Sequence, residues 1–154
     1  MRKQYIYSII LLSFLAFGCT STKNLFSNKE KKVKQEVVIT ELFGTNWNLI
    51  KINASKPKLT STENKISLLL TQEPMNFAGF SGCNRYFGKY SVKKNTIKFF
   101  EAGSTMMACP DEDMTLERNY ITALSKINNY IIQSDTLFLR NNERVVLTYL
   151  ESKE

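Results

Sequence analysis

From Trp47 onward, apolar and polar positions alternate in short runs, each closed by residues that favour turns. Such period-two runs mark half-buried β-strands, whose successive side chains point to opposite faces. In "TNWNLIKIN" the large apolar residues Trp47, Leu49 and Ile52 stand among polar neighbours. "KISLLLT" and "MNFAGFS" follow as strand-length runs, separated by the turn-forming "QEP". "YFGKYSV" and "TIKFF" flank "KKN", where Asn95 is expected to take the positive φ of a tight hairpin. Near the C-terminus "YIIQ", "TLFLRN" and "VVLTYL" are joined by "SD" and "NER", and "ASKPKLTSTENK" reads as a polar loop. One segment has a different period. "PDEDMTLERNYITALSKINNY" places Met114, Glu117, Tyr120, Ile121, Leu124 and Ile127 on one face of a helix, with Leu116 and Ala123 close by. Pro110 and the acids Asp111, Glu112 and Asp113 suit a helix N-terminus, where anions complement the dipole. Lys126 and Asn128–Asn129 suit its end, so the pattern predicts a helix over 111–128. The fold class is therefore α+β: a small curled antiparallel β-sheet or incomplete barrel of about seven to eight strands. One amphipathic helix covers an opening or a face.

The first forty residues follow another logic. "MRKQYIYSIILLSFLAFGC" opens with Arg2 and Lys3, runs apolar from Tyr5 to Gly18, and reaches Cys19 behind the small Ala16 and Gly18. The run is short of the roughly 20 residues that span a bilayer, and its flanks fit a secretory signal. The ending resembles a lipobox, at which the cysteine thiol is lipidated and residues 1–18 are removed. An uncleaved anchor and an ordinary signal peptide are the other readings. Acyl chains buried in lipid contribute about 0.8 kcal/mol per CH2, so two or three hold a protein permanently. Residues 19–41 carry Lys23, Lys29, Lys31, Lys32 and Lys34 against Glu30, Glu36 and Glu41, with few apolar side chains. This composition reads as a flexible tether, which as a coil would reach roughly 25 Å. Residues 42–154 then form one small domain. Thr20, after the cysteine, favours outer-membrane sorting, so the expected location is the bacterial cell envelope, lipid-anchored to the outer membrane.

Net charge is +7, which on its own suggests nucleic acid. The excess lies in the signal and tether, and basic and acidic groups in residues 42–154 are nearly balanced, so no nucleic-acid partner is expected. Tyr86, Phe87, Tyr90, Phe99 and Phe100, near Arg85, Lys89, Lys93, Lys94 and Lys98, look like a base-stacking platform, but strand alternation sends about half of them into the core. There is no histidine, which excludes Ser-His-Asp and Cys-His catalysis and histidine-dependent zinc sites. With Cys19 acylated, Cys83 and Cys109 are too few for an all-cysteine zinc site. Asp111, Glu112 and Asp113 lack the spacing of a calcium loop. The reading is no catalytic residues, no metal, no cofactor and no enzyme.

"GFSGCNRYFGKYSV" packs glycines, a cysteine and an Asn-Arg pair between two strands. Together with Trp47 on the first strand, Gly82, Cys83, Asn84, Arg85, Gly88 and Tyr90, then Thr105, Met106 and Cys109 ahead of the helix, it resembles the META-domain family. That family includes a heat-inducible outer-membrane lipoprotein of enteric bacteria. The likeness runs from about Gly44 to Leu150. It implies a small curled sheet with one helix, architectural kinship with lipoproteins that assist secretion channels, and no enzyme activity. Its functional links are to stress tolerance, antibiotic resistance and secretion. The loop Ala54–Lys65 follows no recognisable family pattern.

Read from its own residues, the turn is structural. Gly79, Gly82 and Gly88 meet backbone needs, Asn84 bonds the turn, and Arg85 is expected to form an ion pair with Glu117. Cys83 and Cys109, an even pair in an oxidising compartment, are expected to form a disulfide. Two buried thiols or a redox pair are the alternatives. Two functions follow. One is a monomeric interaction module that is anchored in the membrane by acyl chains and binds an envelope protein. The other is a carrier of a lipid or small apolar ligand inside the curled sheet, beneath Tyr120, Ile121 and Leu124.

Overall fold

The computed structural model describes residues 42–153; the signal, Cys19 and the tether lie outside them. The strands are β1 (Asn46–Ile52), β2 (Ser67–Thr71), β3 (Asn76–Phe80), β4 (Arg85–Lys93), β5 (Thr96–Phe99), β6 (Gly103–Ser104), β7 (Asn129–Gln133), β8 (Thr136–Asn141) and β9 (Arg144–Glu151). A helix, α1 (Asp111–Ser125), separates β6 from β7. The order β3-β2-β1-β9-β8-β7-β5-β4-β6, with β3 also paired to β4, bends one antiparallel sheet into a ring. β6 is too short to have been visible as an alternating run. No helix among the described residues is long and apolar enough to cross a membrane.

Strand β4 is the spine. It pairs with β3 from Asn76↔Lys89 to Phe80↔Arg85, with β5 from Tyr90↔Phe99 to Lys93↔Thr96, and with β6 at Tyr86 and Phe87. On the opposite side of β5 the ring is nearly open. β5 meets β7 only at Thr96↔Asn129, flanked by Ile97 N–H to Asn128 O at 3.2 Å and Tyr130 N–H to Asn95 O at 2.9 Å.

Local irregularities follow from register. Trp47, Leu49 and Ile52 break strict alternation, and the β1–β9 pairing shifts between Leu49 and Lys51. An extra residue there restores the inward face, the usual work of a bulge. In the β4–β5 hairpin it is Lys94, not Asn95, that takes positive φ, at 55°. Pairing of Lys93 with Thr96 leaves a two-residue turn, and its first position must turn left-handed whatever residue stands there. Ser134 and Asn142 occupy the same first position in the two later hairpins, at φ 55° and 54°. The helix ends at Ser125, before the expected 128. Asn128 N–H already bonds Arg140 O at 2.9 Å, so that backbone belongs to the sheet.

The interior is solid. Trp47, Phe77, Tyr86, Tyr120, Tyr130 and Tyr149 are all under 2% exposed, with Leu68, Leu70, Ile97 and Leu124 among them. Leu42 joins this core, and its carbonyl accepts the Trp47 Nε1–H at 3.3 Å. Helix α1 drops Tyr120, Ala123 and Leu124 into the ring. Of the aromatics that resemble a stacking platform, Tyr86, Tyr90 and Phe99 are buried, and Phe87 and Phe100 face out. Open cavities of 750, 690 and 470 Å³ lie on the outside, lined by residues such as Asn53, Asn119 and Arg144, or Phe87, Lys89 and Phe100, or Lys56, Asn64 and Lys65. The space a carrier would need beneath Tyr120 and Leu124 is filled by tyrosines.

Strand closeness sets one strong requirement. A Cβ on Gly79 would stand 2.0 Å from Ser67 O of the neighbouring strand. Gly79→Ala is therefore expected to lower stability by about 2–3 kcal/mol through forced strand separation, read as a reduced urea midpoint.

Candidate functional site

The turn between β3 and β4 and the inner face of α1 meet around one side chain, Asn84. Gly82 holds φ at +119°, a value that L side chains rarely adopt, and so reverses the chain within Ser81–Asn84. Ser81 N–H closes the turn on Asn84 O at 2.8 Å. Asn84, 5% exposed, then uses its whole amide. Its Oδ1 accepts from Thr105 Oγ1 and Met107 N–H, both at 2.8 Å, and its Nδ2 donates to Glu117 Oε1 at 3.1 Å. Its backbone N–H donates to Glu117 Oε2 at 2.7 Å. The Ser81 hydroxyl sits 2.5 Å from the same Oε2 and 2.7 Å from Asn84 O. Its one proton goes to the charged acceptor, the stronger bond.

Glu117 is thus occupied, and not by Arg85. Arg85 begins β4 with an exposed side chain, and among the described residues it forms no ion pair. Alternation explains the correction: with Tyr86 facing inward, Arg85 must face outward. Its backbone remains part of the site, since Arg85 N–H donates to Thr105 Oγ1 at 3.2 Å and Thr105 N–H to Arg85 O at 3.0 Å. Tyr90 is in the core, its hydroxyl donating to Thr71 O at 2.9 Å, and Gly88 lies opposite Phe77. Cys83 and Cys109 form a disulfide that ties the turn to the residue before Pro110, with a sequence separation of 26.

A second carboxylate, invisible as such in the sequence, works the same way. Asp113 is fully buried. Its Oδ1 accepts from Thr60 N–H at 2.9 Å and Thr60 Oγ1 at 3.1 Å, and its Oδ2 from Ser61 N–H at 3.0 Å and from the Ser61 hydroxyl. The polar loop without a family pattern is thereby pinned to the helix. Complementing the helix dipole, the role its place in the sequence predicts, is thus only part of what Asp113 does. Its position four residues before Glu117, on the stripe that continues through Tyr120 and Leu124, is the signal that would have found it.

Behind the carboxylates three buried tyrosines are chained. Ser67 O can only accept, so Tyr86 donates to it at 2.8 Å. Tyr86 then accepts from Tyr120 at 2.5 Å, and Tyr120 from Tyr149 at 3.0 Å. Burial pushes Tyr120 up to about 12 and holds Tyr86 and Tyr149 well above the ordinary tyrosine value, so all three stay protonated donors. Burial also pushes the Glu117 carboxyl up. The donors on Ser81, Asn84 and Cys83 together outweigh it, leaving Glu117 below the usual glutamate value. Hydrogen bonds from the Ser61 hydroxyl and the Thr60 backbone hold Asp113 low against its desolvation. Every polar group of the site is satisfied by another part of the chain. No cluster of three His, Cys, Asp or Glu able to hold a metal occurs among the described residues.

The comparisons with known proteins meet this geometry. The sequence matches the META domain over residues 40–154. The chain belongs to the META domain family. No curated protein matches the chain. Among solved structures, a protein from Burkholderia xenovorans determined by NMR is similar at 29% identity and a TM-score of 0.61, covering 75% of this chain and 86% of that one. A second NMR structure, at 23% identity and a TM-score of 0.56, covers 72% of this chain and 92% of its own and shows the shared fold. Asn84, Thr105 and Glu117 thus form one hydrogen-bonded knot at the turn that the positive φ of Gly82 makes possible, with Cys83 and Cys109 beside it.

Two tests follow from the knot. Glu117→Gln leaves an amide nitrogen facing N–H and O–H donors, and should cost about 1–3 kcal/mol at pH 7. Because both carboxyls titrate lower folded than unfolded, their contribution is present above the unfolded values near 4 and is lost as pH falls through the folded ones. Urea titrations at pH 7 and pH 3 should show the gap between wild type and Glu117→Gln shrinking in acid. For the bridge, the double change Cys83→Ser with Cys109→Ser should lower stability by about 3–4 kcal/mol, the value expected for a loop of this length. Thiol titration of the wild-type chain isolated without reductant should find no free Cys83 or Cys109.

Proposed function

We infer that this chain is a lipid-anchored protein of the bacterial cell envelope whose META domain is a non-catalytic interaction module. It supports outer-membrane integrity under stress or the assembly of an envelope component. One observation carries the reading: the domain's chemistry is consumed internally and its apolar display is external. The interior of the ring is packed, and Asp113 and Glu117 spend their acceptors on loop donors. Meanwhile Met106 is 99% exposed, Met107 62%, Phe87 57% and Phe100 53%. Large apolar side chains left outside a packed domain are what a binding surface needs. The apolar run ending at Cys19 and the basic residues after it support placement at a membrane.

Cell fractionation with intact-mass analysis tests the anchor. The wild-type chain should begin at an acylated Cys19 in the membrane fraction, and Cys19→Ala should be released or remain unprocessed. A soluble native chain with no lipid mass overturns the anchored reading. Crosslinking in intact cells, followed by purification of the chain and mass spectrometry, should recover a recurrent envelope component. Turnover of ester, peptide or glycan substrates by the purified chain would overturn the non-catalytic reading.

A further inference from the structure

We propose that the outer face of β4 and its neighbours is a docking strip for an anionic bilayer surface, which lays the META domain against the membrane that holds it. The inference rests on the reading of Cys19 as the anchor. Along β4 the buried Tyr86 and Tyr90 face inward, so Arg85, Phe87 and Lys89 face outward in a row. Phe100 N–H bonds Lys89 O at 2.9 Å, which sets Phe100 beside Lys89, and Lys98 projects from β5 between the buried Ile97 and Phe99. Opposite Phe87 stand the small exposed Ala78 on β3 and Gly103 on β6, so the phenyl ring has no bulky neighbour across either strand.

The methionines extend the same strip. Thr105 is bonded to the Arg85 backbone from both sides, and Met107 N–H is fixed to Asn84 Oδ1. Met106 and Met107 therefore stand at the Arg85 end by a fixed backbone, their side chains turned to solvent. Apolar groups alternating with cations, on the convex outside of a ring, can enter the acyl boundary while the cations meet anionic headgroups. The adjoining acid is Glu101.

The path of the chain points to the same occupant. The chain enters the described fold at Leu42–Phe43, and the Phe43 ring is 6.3 Å from that of Tyr90, the residue after Lys89 on β4. Phe43 meets Tyr90 on the inner side of β4, so the contact selects no outer face; residues 20–41, with their excess of lysine, join the domain to Cys19 and keep it within reach of the bilayer. The envelope component of the proposed function has the other exposed faces of the domain. A membrane needs only apolar groups, positive charge and proximity: the outer face of β4 supplies the first two and the anchor at Cys19 the third.

The test uses the full chain carrying Met106→Trp, with buried Trp47 as an internal reference. The chain is reconstituted on phosphatidylglycerol vesicles and on phosphatidylcholine vesicles, each with and without doxyl-labelled lipid. On the anionic vesicles the introduced tryptophan should shift to shorter wavelength and be quenched. On neutral vesicles it should stay water-like. Lys89→Gln with Lys98→Gln should lower the ratio of docked to undocked chain by about fivefold per charge removed. Phe87→Glu with Phe100→Glu should restore water-like emission, with Trp47 emission unchanged and the chain still floating with the vesicles. Water-like emission of the parent chain on co-floating anionic vesicles overturns the docking and leaves the anchor standing. A chain that does not float overturns both. Quenching that survives Phe87→Glu with Phe100→Glu also overturns the proposal, because the tether alone would then explain it. So does a crosslink from the strip to an envelope protein in the absence of quenching.

Discussion

A carboxylate withdrawn from water is tolerated only where donors replace the water it loses, and α1 turns two inward, the buried Asp113 and the half-buried Glu117. Each meets that requirement by capturing a loop: Asp113 takes the N–H and O–H groups of Thr60 and Ser61, and Glu117 those of Ser81 and Asn84. The polar loop, the glycine turn and the helix therefore depend on one another. Without the helix the buried donors of Ser81 and Asn84 would lose their acceptor, and without the polar loop the buried Asp113 carboxylate would lose its donors. The disulfide acts at the same place, joining the turn to the start of the helix at the point where Asn84 also gathers Thr105 and Met107.

That coupling compensates for an uneven ring. β4 is paired along its whole length, and β5 and β7 share a single pair. A sheet with such a gap would expose its interior. Helix α1 seals it from within through Tyr120, Ala123 and Leu124, and the tyrosine chain from Tyr149 to Ser67 O spans the ring and bonds every hydroxyl it buries. The result, among the described residues, is a packed inside whose polar groups at the knot are paired; the buried Tyr130 hydroxyl, elsewhere in the core, has no partner.

On the outside, the strand that organises the fold also displays the exposed aromatics. The alternation that sends Tyr86 and Tyr90 into the core sends Arg85, Phe87 and Lys89 out of it. One strand thus carries core packing on one face and exposed aromatics and cations on the other. Gly82, Cys83, Asn84 and Thr105 build the knot, and the backbone of Met106 and Met107 is held beside it.

Much of this was legible in the sequence, because alternation and helical periodicity are local properties. The strands around Trp47, Leu68, Phe77, Tyr90 and Leu147, the helix α1 and the glycine turn all follow from neighbours a few residues apart. The expected pairing of Cys83 with Cys109 rested on the reading of the N-terminus as an export signal and on the even pair of thiols it leaves; the structure forms that bridge. What the tertiary structure decided is who meets whom across long stretches of chain. Glu117 meets Ser81 and Asn84 and not Arg85, because β4 turns the guanidinium outward. Asp113 is a buried acceptor and not only a dipole partner, because a loop more than fifty residues away folds over it. Lys94 turns left-handed in place of Asn95 because the Lys93–Thr96 register, set by the whole sheet, chooses the position. The interior is filled and not hollow because ring closure, which no local pattern encodes, brings tyrosines from β4, α1 and β9 to one point.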